Sequence, residues 1–314
     1  QRLSEWIDQC LAKLKQYTKD IHICGNRNSY SKTDHDATFM HMKEDHMRNG
    51  QLKPGYNVNV ATCSDFIIGS YISSDRNDVH TLIPFMEQLR KNYAGRNIGS
   101  VVVDSGYESE ENYCWFEAHP ETELYVKPSN HEAVKHRKYR TDISRRENMA
   151  YDAQADAYTC ANGKLLQRTR EKKTHTASGL EIATSVYECN ECDGCPLKEK
   201  CIRACGSKKP LEERYKVIYV SKRFARQRQA MEAKISSPKG CLLRVNRSIQ
   251  AEGNFAYVKQ DLDFRRFLLR GNMKVAAEWL LFSLALNILH LHHKIQNRRL
   301  GSGLKIPSSF PAGL

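Results

Sequence analysis

Asp104 closes a run of three valines, Val101 to Val103, and is followed at once by Ser105 and Gly106. Consecutive β-branched residues read as a buried strand, so the carboxylate stands at the strand's carboxyl end, where α/β proteins build their sites. Aspartate at such a junction also accepts turn and helix-start amides, so the local pattern leaves both roles open. A second group is YECNECDGCPLKEKC, which holds Cys189, Cys192, Cys195 and Cys201, with Cys160 upstream in YTCANGK and Cys205 just beyond. Two-residue spacing lets a tight turn aim both sulfurs at one tetrahedral Zn²⁺. The expected ligands are Cys192, Cys195 and Cys201, with Cys160 or Cys189 as the fourth. An all-thiolate set leaves no open coordination position, which argues for structural Zn²⁺ and against a zinc hydrolase. A third group lies in RSIQAEGNFAYVKQDLDFRRFLLRG, where Glu252, Phe255 and Lys259 share one helical face and Asp263, Arg265 and Arg266 follow within two turns. Such charges form either a solvated ion-pair face or a site in which Lys259 meets a phosphate.

These side chains need a scaffold, and the periodicity supplies one. SEWIDQCLAKLKQYTKDI has apolar residues at helical spacing and predicts an amphipathic packing or linker helix. YNVNVAT and FIIGSYIS predict two strands of a hairpin joined at CSD. VHTLIPFMEQLRKNY predicts a helix, NIGSVVVD the next strand, ENYCWFEAH a helix and ETELYVKP a short strand. Hairpin, helix and strand in that order predict an α/β protein with a mixed sheet flanked by helices. From His131 to Arg214 the chain is polar, basic and cysteine-rich, which predicts an insertion outside the core sheet. The apolar period returns after Arg244 and culminates in AAEWLLFSLALNILHL, whose Glu278, Ser283, Asn287 and His290 mark a core helix rather than a membrane span. The tail GSGLKIPSSFPAGL is expected to be loose.

With 314 residues the chain is long enough for a full core. It carries 49 Lys+Arg against 36 Asp+Glu, a net charge of +13, and its basic residues cluster at Lys135 to Arg146, Lys208 to Arg228 and Arg265 to Arg299. Clustered positive charge predicts a polyanion partner, nucleic acid first. Eleven cysteines, an odd number, argue against a disulfide framework. Gln1 opens the chain without a signal-peptide pattern, so a cytoplasmic protein whose amino-terminal part is missing is expected.

Four features in order, VVVDSGYESEEN, the YECNECDGCPLKEKC block, Glu252 and Lys259 in RSIQAEGNFAYVKQ, and FRRFLLRG, resemble the DDE transposases of bacterial insertion sequences. The resemblance runs from about KTDHDATFM to HHKIQNR. It implies an RNase H-like fold and three carboxylates that hold two Mg²⁺ (or Mn²⁺) ions for attack on a DNA phosphodiester. Asp104 would be the second carboxylate and Glu252 the third, with the cysteine-rich region inserted between them. The family's first aspartate, on an earlier strand in an Asp-Gly-Thr-like segment, has no counterpart of that form here; Asp34 or Asp36 could substitute, or the chain begins after that strand. Some members carry an arginine four residues before the glutamate, where this chain has Ser248 with Arg247 adjacent.

The sequence thus leads to a transposase, truncated at its first carboxylate, or alternatively to a non-catalytic DNA-binding remnant that keeps a zinc module. Expected DNA contacts are Arg247, Lys259, Arg265, Arg266 and Arg270; expected partners are double-stranded transposon ends and target, with a homodimer in the DNA complex, near the bacterial nucleoid. The expected segments are a helix and linker over 1–36, a first core part over 37–130, the cysteine-rich insertion over 131–214, the catalytic and closing helices over 215–298, and a tail over 299–314.

Overall fold

The computed structural model describes residues 2–42, 50–94, 96–203 and 208–301. The chain divides into two units, one of Gln1–Tyr107 with Pro238–Leu314, the other of Glu108–Ser237. Cys205 and the tail from residue 302 onward lie outside the described residues.

The first unit opens with helix α1 (Arg2–Cys24), which buries none of its residues. Its Leu3, Trp6, Leu14 and Ile21 are all exposed, so of the packing or linker helix expected there, the described residues show the helix and no packing surface for it. An apolar stripe fixes helical phase; only a facing surface can bury it, and the described residues supply none. Strands β1 (Thr38–His41) and β2 (Leu52–Gly55) pair antiparallel. Strands β3 (Asn57–Cys63) and β4 (Phe66–Ser73) form the expected hairpin. Its two-residue turn holds Ser64 at φ 51° and Asp65 at φ 72°, the left-handed pair whose twist matches that of the flanking strands. Helix α2 (Leu82–Asn92) buries Leu82, Phe85, Met86 and Leu89. Gly69 on β4 lets it approach closely, since a Cβ there would overlap Leu89 Cδ2. Strand β5 (Ser100–Val103) leads to Asp104.

The second unit begins with α3 (Glu110–Glu117), whose N-cap Ser109 accepts a hydrogen bond from the Asn112 N–H. Strand β6 (Glu123–Val126) and the short α4 (Arg137–Arg140) follow. Then β7 (Ala150–Asp152), β8 (Ala157–Thr159), β9 (Leu165–His175), β10 (Glu181–Cys189) and, after α5 (Lys198–Cys201), β11 (Lys216–Val220) form one five-stranded antiparallel sheet in chain order. Met149, Leu166, Tyr187, Cys189, Ile218 and Val220 pack together on it. The polar stretch that showed no helical period is therefore largely a meander. Along β9 all but Leu166 are exposed, and cross-strand pairs such as Arg170–Glu188 at 2.7 Å and Lys173–Glu181 at 3.0 Å stand where an apolar alternation would be read. Helix α6 (Lys222–Ser236), capped by Ser221, closes the unit.

Back in the first unit, α7 (Pro238–Arg247), a π-helical segment (Ser248–Glu252), α8 (Gly253–Ala256) and a second π segment (Tyr257–Asp261) follow one another directly. The helical run expected to continue through Arg265 and Arg266 stops there. Asp263 adopts φ 48°, and residues 262–271 form a loop whose Leu268 and Leu269 N–H groups donate to the buried Glu278 carboxylate at 3.0–3.1 Å. Phe264 and Phe267 turn into the core around Val258 and Trp279, while Arg265, Arg266 and Arg270 stay exposed. Helix α9 (Asn272–Gln296) lays Trp279, Ser283 and Leu286 inward. Asn287 hydrogen-bonds both backbone groups of Ile67 on β4, each at 2.8 Å. Leu280, Leu281, Leu284 and Ile288 are exposed, so the helix is a core element on one face only. Among the described residues it is the one helix long and apolar enough, by length and composition, to cross a membrane. The described fold is a mixed α/β arrangement of helices and small sheets.

Candidate functional site: two carboxylates on one guanidinium

Asp104 serves the turn and still has an oxygen to offer. Its Oδ1 accepts the Ser105 N–H at 2.8 Å, and its backbone oxygen accepts the Tyr107 N–H at 3.1 Å, which opens the 3₁₀ turn Ser105–Tyr107. Its Oδ2 lies 3.5 Å from Arg247 Nη2. Arg247 is the last residue of α7, and its Nη1 donates to Glu252 Oε1 at 3.0 Å. In a regular α-helix residues five apart diverge by about 140°, whereas a π turn brings i and i+5 into register. The Ser248–Glu252 segment therefore decides that Arg247 and Glu252 meet. Both carboxylates are exposed, at 52% and 63%, and the guanidinium between them is 26% exposed. Two carboxylates and one guanidinium leave a formal negative charge facing solvent, a setting that attracts a cation.

Behind Asp104 lies a polar network that the sequence reading missed. Asn59 of β3 is 2% exposed; its Oδ1 accepts from the Thr81 hydroxyl at 2.8 Å and from the Tyr107 hydroxyl. Asn57, two residues earlier on the same face of β3, donates to Asp78 Oδ1 at 2.7 Å. Gly106 lies against Asp78, since a Cβ there would be 3.0 Å from Asp78 Oδ2. Burial pushes the Tyr107 phenol well above its ordinary pKa; Asp78 and Asp104 add to the rise and Arg247 opposes it. The signal was present in YNVNV, where asparagines occupy alternate positions of a strand otherwise built of valines.

The remaining expected residues stand elsewhere. Asp34 accepts from the Tyr56 hydroxyl at 2.7 and 2.8 Å and from the Gly271 N–H at 3.2 Å, while Asp36 accepts the Asn272 N–H at 2.8 Å. Both thus satisfy amides at the start of α9, where the unpaired N–H groups and the helix dipole favour carboxylates. Burial raises the Tyr56 phenol pKa strongly, with Asp34 as the next cause. Lys259 sits half-buried in the second π segment. Arg265 pairs with Asp263 at 2.6 Å, and Arg270 donates to the Thr33 carbonyl at 3.4 Å. A cleft of about 690 Å³ opens beside Asp104 and Arg247, walled by Val58, Val60, Phe85, Leu89, Val101 and Val103. In the second unit Cys160, Cys189, Cys192, Cys195 and Cys201 line one small cavity. Among the described residues no three His, Cys, Asp or Glu side chains are grouped as a ready metal site.

The arrangement is thus that of an α/β protein with a strand-end aspartate and a helix-borne glutamate turned toward one cation. Residues 159–292 match the family described as Transposase DDE domain. The matched stretch contains the cysteine block, Glu252, Lys259 and the arginines of the 262–271 loop, and Asp104 lies before it. No curated protein and no solved structure matches the chain.

Proposed function

We propose that the chain is a DDE transposase of the bacterial insertion-sequence type, built on an RNase H-like core and acting in the cytoplasm on double-stranded DNA as a homodimer at the element's ends. The observation that carries this reading is the convergence of Asp104 and Glu252 on Arg247, from opposite sides of a long intervening stretch of chain. The match over residues 159–292 supports it independently, and divalent-metal use follows from that family's chemistry.

The donor set suits a hard divalent cation, because both side chains offer carboxylate oxygens and are open to solvent. Asp104 and Glu252 would hold Mg²⁺ or Mn²⁺, which when bound polarises a phosphoryl oxygen and lowers the pKa of an attacking water or 3′-hydroxyl. The chain's own residues do the rest. Asp104 is fixed by its bond to Ser105 and by the Tyr107–Asn59 network behind it, so its second oxygen, the one facing Arg247, keeps one direction. Arg247 offsets one of the two negative charges and has the planar fork to take up a phosphate when the carboxylates engage a cation. Lys259, Arg265, Arg266 and Arg270 bind the DNA backbone, which orients the scissile bond without reading its sequence.

A second reading, a DNA-binding remnant without catalysis, is favoured by one observation: no third ligand-type side chain groups with the pair among the described residues. Nicking of transposon-end duplex with Mg²⁺ or Mn²⁺ separates the two. Cleavage that falls at least about a hundredfold in Asp104→Ala and in Glu252→Ala supports the transposase. DNA binding without cleavage, unchanged by either substitution, supports the remnant.

A further inference from the structure

The cysteine cavity of the second unit is no part of that chemistry, and its construction suggests a purpose of its own. Five thiol-bearing residues arrive from separate pieces of chain. Cys160 stands in the β8–β9 turn, where the Gly163 N–H returns to the Cys160 carbonyl at 2.9 Å and Gly163 takes φ 73°. Cys192 and Cys195 flank a second tight turn, with Gly194 at φ 62° and the Cys195 N–H directed at the Cys192 carbonyl at 3.4 Å. Cys201 closes α5, its N–H bonded to the Leu197 carbonyl at 2.9 Å. Cys189 ends β10 and is 1% exposed among Leu166, Tyr187 and Ile218. The space they enclose measures about 20 Å³, room for one ion or one water and nothing larger.

We infer that this cavity is a structural Zn²⁺ site with Cys160, Cys192, Cys195 and Cys201 as ligands and Cys189 as a core thiol beside it. Both φ-positive glycines sit in turns that present a cysteine, the geometry that frees a sulfur to point inward. Four thiolates on Zn²⁺ carry two net negative charges, and the cavity is lined by Lys164, Lys198 and Lys216 as well as by Glu191, which pairs with Lys164 and leaves Lys198 and Lys216 to offset them. Lys216 is tied to it twice, through its N–H to Cys192 Sγ at 3.4 Å and through its Nζ to the Cys201 carbonyl at 3.0 Å. A backbone N–H on a ligand sulfur is the kind of outer contact that stabilises thiolate. Among the described residues no three of these thiols are grouped as a metal site, so taking up Zn²⁺ would require the two turns and α5 to close on it, with release of the four thiol protons to solvent. The gain is order in a segment with little apolar content: between β10 and β11 the described residues form no strand, and among them Cys192 alone is buried.

The test uses the full chain purified without added metal. Elemental analysis should find about one zinc per chain, kept by Cys189→Ser and lost by Cys192→Ser and by Cys195→Ser. Since these variants could fail to fold, Co²⁺ is titrated into metal-stripped wild type as a second measurement; thiolate-to-cobalt charge-transfer bands with tetrahedral ligand-field bands support the site. Folded wild type that contains no zinc and gives no such bands would overturn the inference, and retention of zinc by Cys160→Ser with loss in Cys189→Ser would overturn the ligand assignment. None of these readings depends on DNA cleavage, so the site stands or falls apart from the transposase.

Discussion

Asp156 shows how much one side chain can hold at the tip of a hairpin. Between β7 and β8 it takes φ 46° and accepts hydrogen bonds from the hydroxyls of Tyr151 and Tyr187, each at 2.7 Å, and from Lys222 at 2.8 Å. The Lys222 contact first, then the tyrosines, holds its carboxyl well below the usual range, while burial together with Asp156 pushes the Tyr187 phenol up to about 12. A depressed carboxylate contributes stability that is complete above its unfolded pKa of about 4 and is lost as pH falls through the lower folded value. Asp156→Asn should therefore destabilise the protein by roughly 1–3 kcal/mol at pH 7 in urea unfolding followed by tyrosine fluorescence. The gap to wild type should narrow steadily below about pH 4; a gap independent of pH would mean that shape, and not charge, matters at this tip.

At the scale of elements, the first unit depends on side chains that complete backbone ladders. Asn287 gives β4 the donor and acceptor that a neighbouring strand would give, from the side of a helix. Replacing it with alanine strands the Ile67 N–H and carbonyl under α9, which should cost roughly 1–3 kcal/mol. Amide hydrogen exchange is the sharper readout: protection at Ile67 should drop while protection in the β9–β10 pair is unchanged. The π segment at Ser248–Glu252 is the other decisive element, because its wider turn carries Glu252 to Arg247. Nothing in RSIQAEGNF marks that turn, since π and α segments use the same residues and differ by packing at their ends.

For the whole molecule the charge balance is the property that matters most. The excess of basic side chains would make duplex binding under the proposed function a matter of phosphate neutralisation and counterion release. Arg265, Arg266 and Arg270 are exposed on a loop anchored chiefly by Phe264, Phe267 and Glu278, with Arg265 also paired to Asp263 and Arg270 to the Thr33 carbonyl. Replacing all three with glutamine should weaken duplex binding and reduce the slope of log K against log salt by up to about 3, measured by fluorescence anisotropy between low and physiological salt. A slope identical to wild type would assign these arginines to another surface.

The sequence by itself determined the parts whose physics is local. Alternation in YNVNVAT and FIIGSYIS yields the hairpin, three valines yield β5 with Asp104 at its end, and helical spacing yields α1, α2 and α9. Each is a period in neighbouring residues and is legible without knowing what they pack against. Tertiary structure decided the rest. It ended the helix at Asp261, because Glu278 from another helix captures the backbone of the following loop. It tied Asp34 and Asp36 to the first amides of α9, and it built a sheet from charged strands whose partners lie across the ladder and not along the chain. It also set Arg247 between Asp104 and Glu252: a π turn brings it to Glu252 nearby in the chain, and only the folded chain brings it to the distant Asp104.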